Sequence, residues 1–198
     1  MARPRQADID QRLLDAWKAL SSEMAYEDIT MTLIAARAGV GKPALYRRFP
    51  TKAHLAFAAG VVASVPPRLA SRGSFEADLL PAVTALVDSL HAVPREVFAD
   101  QIATAIADPA FARRVQDAYA RPALDQVARL WERALQRGEV DPDLDGRAAL
   151  NDLAGALIFD VMVRHHAPTE DELGAIVARF VRGVAPAPSR RGRRGRTG

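Results

Sequence analysis

A glycine turn only three residues long, Gly39-Val40-Gly41, sits between two short helical segments and leaves few folds open to the chain. Upstream, Thr30 can cap a helix over about 31–38 whose inward residues are Ile34, Ala35 and Ala38. Downstream, a helix over about 42–48 ends at Phe49-Pro50. Small residues at such a turn let the two helices cross closely and project the second outward, the spacing of a helix-turn-helix. At about 100° per residue, Leu45 and Phe49 fall within about 40° of each other and define the inward stripe. Arg47 points almost opposite, flanked by Pro43 and Ala44. Tyr46 and Arg48 occupy the shoulders, and Lys42 stands at the N-terminal end.

This outward face matches the chemistry of duplex DNA. Arginine can pair bidentately with guanine, small apolar residues can touch thymine methyls, and tyrosine can reach a phosphate oxygen. Partial positive charge at the helix start adds to phosphate attraction. The same stretch is no P-loop: the first glycine of that spacing is missing and Pro43 follows Lys42. It also holds no serine or cysteine that could serve as a nucleophile.

The rest of the chain reads as helix. Ile9, Leu13, Ala16, Trp17 and Leu20 recur at helical spacing and predict a first helix over about 8–21. Thr51 can cap a fourth, over about 52–64, which stops before Pro66-Pro67. Further helices are expected at about 75–91, 95–107, 109–118, 121–137, 145–165 and 169–183, with Asp108 and Thr169 as N-caps. No alternating β-branched run is present, so the expected fold is all-α. Its divisions are an N-terminal three-helix head over 1–65, a helical domain over 66–185 and a disordered arginine-rich tail over 186–198.

Charge is distributed unevenly. Of the net +3, the last thirteen residues supply five arginines and no acid, which leaves 22 basic against 24 acidic residues in the remainder. Residues 1–65 carry nine Lys or Arg against six Asp or Glu. Arg3, Arg5 and the Arg190–Arg196 tail can add sequence-independent attraction to DNA or serve only as solubilising ends. Cysteine is absent, which excludes disulfides and thiolate metal sites and favours a reducing compartment. "MARPRQADIDQRLL" lacks the apolar core of a signal peptide and no membrane-length apolar run follows, so a cytoplasmic location is expected.

From about Ile9 to Phe57, and most specifically in "TMTLIAARAGVGKPALYRRFPTKAHL", the chain resembles TetR-type transcriptional regulators. The match comprises a capped helix, Ala-Gly-Val, a lysine, a leucine-tyrosine pair, an aromatic before proline, and Thr51-Lys52. Gly41 stands where serine is common, Arg48 where histidine is frequent, and Thr32 where a charge is often found. The resemblance implies an all-helical homodimer that reads a palindromic operator in double-stranded DNA and releases it on binding a small molecule. Carried over by position, the DNA contacts are Thr30, Thr32, Lys42, Pro43, Ala44, Tyr46, Arg48 and Lys52. Arg47 is added from the helical wheel.

A weaker likeness to TetR-type C-terminal domains covers "GEVDPDLDGRAALNDLAGALIFDVMV" and the helix after it. Two amphipathic stripes there, Leu150, Leu153, Leu157, Ile158 and Val161, then Leu173, Ile176, Val177 and Phe180, can close a four-helix bundle about a two-fold axis. They can equally face their own core. The effector pocket implied by the resemblance would be lined from Leu86, Leu90, Phe98, Ile102, Ile106, Phe111, Tyr119, Leu130 and Trp131. That mainly apolar set favours an apolar or aromatic ligand. The side chains of His165 and His166 diverge by about 100° on a helix and suit a C-terminal dipole better than a shared ion. No metal, cofactor or catalytic set is expected, and the chain does not read as an enzyme. The competing readings are a DNA-binding regulator controlled by a protein partner, or acting as an activator, and a helical enzyme or protein-interaction module without operator affinity.

Overall fold

A computed structural model describes residues 3–60 and 70–186, with side-chain surroundings from residue 7 onward. Helices dominate, and no strand occurs among the described residues. They are α1 (Arg3–Glu23), α2 (Met31–Ala38), α3 (Lys42–Arg48), α4 (Lys52–Ala58), α5 (Phe75–His91), α6 (Arg95–Ala107), α7 (Pro109–Val115), α8 (Arg121–Arg137), α9 (Gly146–Ile158) and α10 (Glu170–Val184). A 3-10 turn, Tyr26–Asp28, precedes α2. π-helical segments at Gln116–Ala120 and Phe159–Val163 carry the helices on from α7 to α8 and beyond α9.

The expected helices are present, with two shifts at the ends. α1 begins five residues before the expected Asp8, because Pro4 is tolerated in a first turn where its missing N–H costs nothing. α4 stops at Ala58 rather than running on, since Gly60 takes φ 81° and its N–H donates to Phe57 O at 3.0 Å. Residues 61–69, and with them the boundary expected at Pro66-Pro67, lie outside the described residues, as do the side chains of Arg3 and Arg5 and the tail from 187.

The chain divides into two compact units, one formed by Met1–Ser64 with Ser89–Arg121 and the other by Val65–Asp88 with Pro122–Gly198. The first unit packs Leu13, Trp17 and Leu20 of α1 on Ile34 and Ala35 of α2, Leu45 of α3 and Leu55 of α4. Val93 and Val97 join this core, so α6 packs against the N-terminal helices. Trp17, 1% exposed, meets Tyr26 edge to face at 5.7 Å.

In the second unit, Phe75 of α5 stands perpendicular to Trp131 of α8 at 5.7 Å and 6.4 Å from Phe180 of α10. Gly146, at the start of α9, is required by this packing, because a Cβ there would lie 2.3 Å from the Trp131 ring. Asp78 is buried in the same unit. Its carboxylate accepts from Arg137 Nη2 at 3.3 Å, Ser71 Oγ at 3.4 Å and the Arg72 N–H. A buried carboxylate is tolerable only with such partners. The loop before α9 is tied to the end of α10 by Asp141 N–H donating to Val184 O at 2.8 Å.

Two groups of expected contacts are corrected here. Leu150, Leu157 and Val161, with Leu173 and Val177, are at most 4% exposed and form the chain's own core, so they are not free for a second copy. Leu153, Ile158, Ile176 and Phe180 are half-buried. The outward face at the end of α9 instead shows Phe159, 54% exposed, and Val163, 57% exposed. A stripe of apolar residues marks a buried face without saying whose core buries it.

The expected pocket residues are divided between packed core and exposed surface. Leu90, Phe111, Leu130 and Trp131 are packed core. Phe111 is filled in by His54 at 4.4 Å and Phe57 at 5.5 Å, while Tyr119 meets Phe57 at 5.4 Å. Leu86 and Phe98 are half-buried. Ile102 is 47% and Ile106 80% exposed, because α6 turns Val97 and Gln101 inward and those two outward. Leu86, Leu130 and Trp131 belong to the second unit and the other six to the first.

Candidate DNA-reading face

The turn that opens this face is built by backbone hydrogen bonds. Thr30 Oγ1 accepts from Leu33 N at 3.1 Å and starts α2. At its end Gly39 adopts φ 62°, ψ 37°, with its N–H donating to Ala36 O at 3.1 Å and that of Val40 to Ala35 O at 2.9 Å. The guanidinium of Arg12 on α1 caps the same end, donating to the carbonyls of Ala38 and, at 2.9 Å, Gly39. A Cβ at Gly39 would lie 2.8 Å from Arg12 Nη2, and the positive φ alone disfavours any other residue. Gly39→Ala is therefore expected to destabilise the first unit by about 1–2 kcal/mol, read as a lower denaturant midpoint at unchanged slope. An unchanged midpoint would contradict the role of the turn.

Gly41 then enters α3 in an extended conformation, with Pro43 in the first turn. Leu45 is fully sealed against the core and Phe49 is half-buried, as the wheel requires. On the other side Lys42, Pro43 and Arg47 are exposed, Tyr46 is 46% exposed and Ala44 is half-buried. Thr30 and Thr32 of α2 are exposed as well. Nearby, Arg37 forms a two-pronged pair with Glu23, at 2.7 and 2.6 Å, which fastens α2 to the end of α1.

Two expected DNA contacts are held within the protein. Arg48 is drawn back: its Nε pairs with Asp10 at 2.6 Å, its Nη1 donates to Ala44 O at 3.1 Å, and its side chain is only 14% exposed. Lys52 folds over the Tyr26 ring at 3.7 Å and donates to Tyr26 O at 2.6 Å. Burial pushes its ammonium below the ordinary lysine range, opposed by Asp100, Glu27 and Asp28. Tyr26 itself donates to Asp100 of α6. Burial first, and then Asp100, hold that phenol far above its ordinary value. The wheel of α3 could place Arg48 on a shoulder but could not show Asp10 and Arg12, which sit on the polar side of another helix and reach across.

Behind the face, Thr51 starts α4 and lies 2.9 Å from Nδ1 of His54. The His54 side chain is 4% exposed, lies against Phe111 with the rings inclined at 46°, and has Nε2 3.4 Å from Asp108 Oδ2. Burial lowers its pKa below 6.5 and Arg114 assists, while Asp108 and Asp100 oppose. With the folded pKa depressed, the unfolded chain binds the proton first as pH falls, so stability is lost below about pH 6.5. The melting temperature should therefore fall between pH 7.5 and pH 5, and His54→Gln should flatten that part of the profile. An equally steep fall in the variant would assign it to other groups.

Comparison with known proteins places this geometry. Residues 13–59 match the family "Bacterial regulatory proteins, tetR family", and residues 69–180 match "Tetracyclin repressor-like, C-terminal domain". The HTH-type transcriptional repressor KstR of Rhodococcus jostii (strain RHA1) is 33% identical over 138 residues, covering 70% of this chain. The chain spans 63% of that relative's length. An uncharacterised HTH-type transcriptional regulator of Mycobacterium bovis is 27% identical over 88% of this chain and 84% of its own. In fold, the chain matches the TetR family transcription regulator SCO0332, with a TM-score of 0.60 at 23% identity over 90% of this chain and 100% of that one. It matches NalD, the secondary repressor of the MexAB-OprM multidrug efflux pump in Pseudomonas aeruginosa, with a TM-score of 0.56 at 21% identity over 91% and 98%. The second family match alone covers more than half of the chain, and on it the chain belongs to the TetR family of DNA-binding transcriptional regulators.

Proposed function

We propose that the protein is a homodimeric repressor whose two heads, residues 1–65 of each copy, read a palindromic operator and leave it when a small apolar or aromatic effector binds residues 66–185. The observation that carries this reading is α3, which seals Leu45 inside while Lys42, Tyr46 and Arg47 stand in solvent. A short cationic helix held outward by its aliphatic underside has the shape and charge to enter a major groove. Thr30, Thr32, Pro43 and Ala44 complete the surface, and Arg48 and Lys52 support it from within. The similarity to a repressor supports repression as the sign of control.

Dimerisation is assigned to the outward side of α9 and its π-helical extension, where Phe159 and Val163 are exposed a turn apart with Gly155 before them. The effector would act by linkage, preferring a conformation whose heads are misplaced for the operator. Solvent-facing Ile102 and Ile106 favour a second reading, in which a protein partner rather than a small molecule controls the heads.

Selection of bound duplexes from a random pool tests the central reading. A two-fold symmetric motif is the expected result, and enrichment of no motif at moderate salt would remove it. No helix among the described residues is long and apolar enough to cross a membrane, which is compatible with a cytoplasmic regulator. Thermal shift against a metabolite panel separates small-molecule from protein control. Titrations in which ligand and operator bind independently would eliminate the linkage.

A further inference from the structure

Two charged side chains of α1 reach the helix-turn-helix, and they do opposite things. Arg12 caps the end of α2 and stabilises the turn. Asp10 pairs with Arg48, the last residue of α3, through Nε at 2.6 Å. Its neighbour Arg47 has no such restraint and is exposed, whereas Arg48 curls back along its own helix to Ala44 O. An arginine at the end of an outward helix ordinarily extends into water, where its guanidinium is best solvated. Here the carboxylate of Asp10, with its side chain 46% exposed, turns it aside and leaves one negative charge beside the cations of α3.

We infer that Asp10 withholds Arg48 from the phosphate backbone and keeps the sequence-independent part of the protein's DNA affinity low. The inference rests on the reading of α3 as the DNA-facing helix. Each phosphate neutralised by a free cation multiplies the association constant by the released-counterion factor, about eightfold at 0.1 M salt, whatever the base sequence. A cation already paired releases no counterion, so Arg48 contributes little to this non-specific attraction while Lys42 and Arg47 contribute fully. Phosphates flank every sequence alike, so the effect falls equally on operator and non-operator duplexes. The anchoring of α1 does not depend on Asp10, because Leu13, Trp17 and Leu20 hold that helix in the core.

The experiment measures binding of the full chain to a duplex selected with the wild-type protein and to a scrambled duplex, each as a function of salt. Asp10→Asn is expected to bind the scrambled duplex about eightfold tighter at 0.1 M salt, with the plot of log K against log salt steeper by about 0.9. Its affinity for the selected duplex rises by the same factor, so the ratio of the two is unchanged. Arg48→Ala alone leaves the slope near the wild-type value, and Asp10→Asn with Arg48→Ala restores that value. An unchanged slope in Asp10→Asn would overturn the inference, as would a loss of about 0.9 in Arg48→Ala alone. A merely structural pair predicts weaker binding of both duplexes by Asp10→Asn, which also overturns it. Should the wild-type protein bind no duplex at all, the DNA reading fails first; a wild type that binds beside an indifferent Asp10→Asn removes only the role of Asp10.

Discussion

A chain carrying Lys42→Ala and Arg47→Ala is expected to lose operator affinity about 30-fold at 0.15 M salt while its melting temperature stays within a degree or two of wild type. Both side chains are exposed on α3, and neither has a partner among the described residues that its loss would orphan. Removing two phosphate contacts costs two released-counterion factors, about 5.5 each at that salt, and lowers the salt slope by about 1.8. If Arg47 also reads a base edge, its loss relaxes sequence preference at that base pair and the total exceeds the electrostatic figure. Fluorescence anisotropy over a salt series reads both quantities. An affinity that falls without any change of slope would mean that the two cations do not meet phosphates, and the outward face of α3 would lose its assignment.

The second large effect concerns the platform beneath α3. Trp17→Ala removes a side chain that is 1% exposed, lies in the core of the first unit and meets Tyr26 edge to face. The expected cost is about 3–5 kcal/mol, the range for a buried aromatic cut back to alanine. Tyr26 loses its aromatic neighbour, and with it the Lys52 and Asp100 contacts loosen. Operator binding should disappear at temperatures where the second unit, whose core around Phe75 and Trp131 is separate, remains helical. Circular dichroism melts followed alongside DNA binding make the comparison. A variant that melts with wild type would show that the core of the first unit does not depend on this tryptophan.

The two variants separate reading from holding. Lys42 and Arg47 are exposed and, on the proposed reading, act on DNA, so their loss is expected in affinity and salt dependence. Trp17 touches no partner and acts through the fold, so its loss is expected in stability first. The His54 profile and the Gly39 turn fall in the second class, although both lie within a few residues of the reading face.

Much of this organisation was open to inspection in the chain itself. The turn at Gly39, the caps at Thr30, Thr51, Asp108 and Thr169, and the inward positions of Leu45 and Phe49 are local matters. Helix periodicity and capping chemistry act over a few residues, so a linear reading carries them. The capping box of Thr169 with Glu172, each side chain bonded to the other residue's N–H, is a further example. Where that reading went astray, the deciding contact lay far along the chain. Asp10 and Arg48 are 38 positions apart, and Tyr26 and Asp100 are 74 apart.

The apolar stripes show the same division. Periodicity alone determined that Leu150, Leu157, Leu173 and Val177 face something apolar, and it determined that α3 presents cations opposite a leucine. Only the tertiary structure decided that those leucines and valine fill the chain's own core, that Ile102 and Ile106 face water, and that Arg48 and Lys52 turn inward while Lys42 and Arg47 remain exposed. A hydrophobic period or a positive charge is a property of one segment, whereas the neighbour that buries or neutralises it is supplied by another segment through packing.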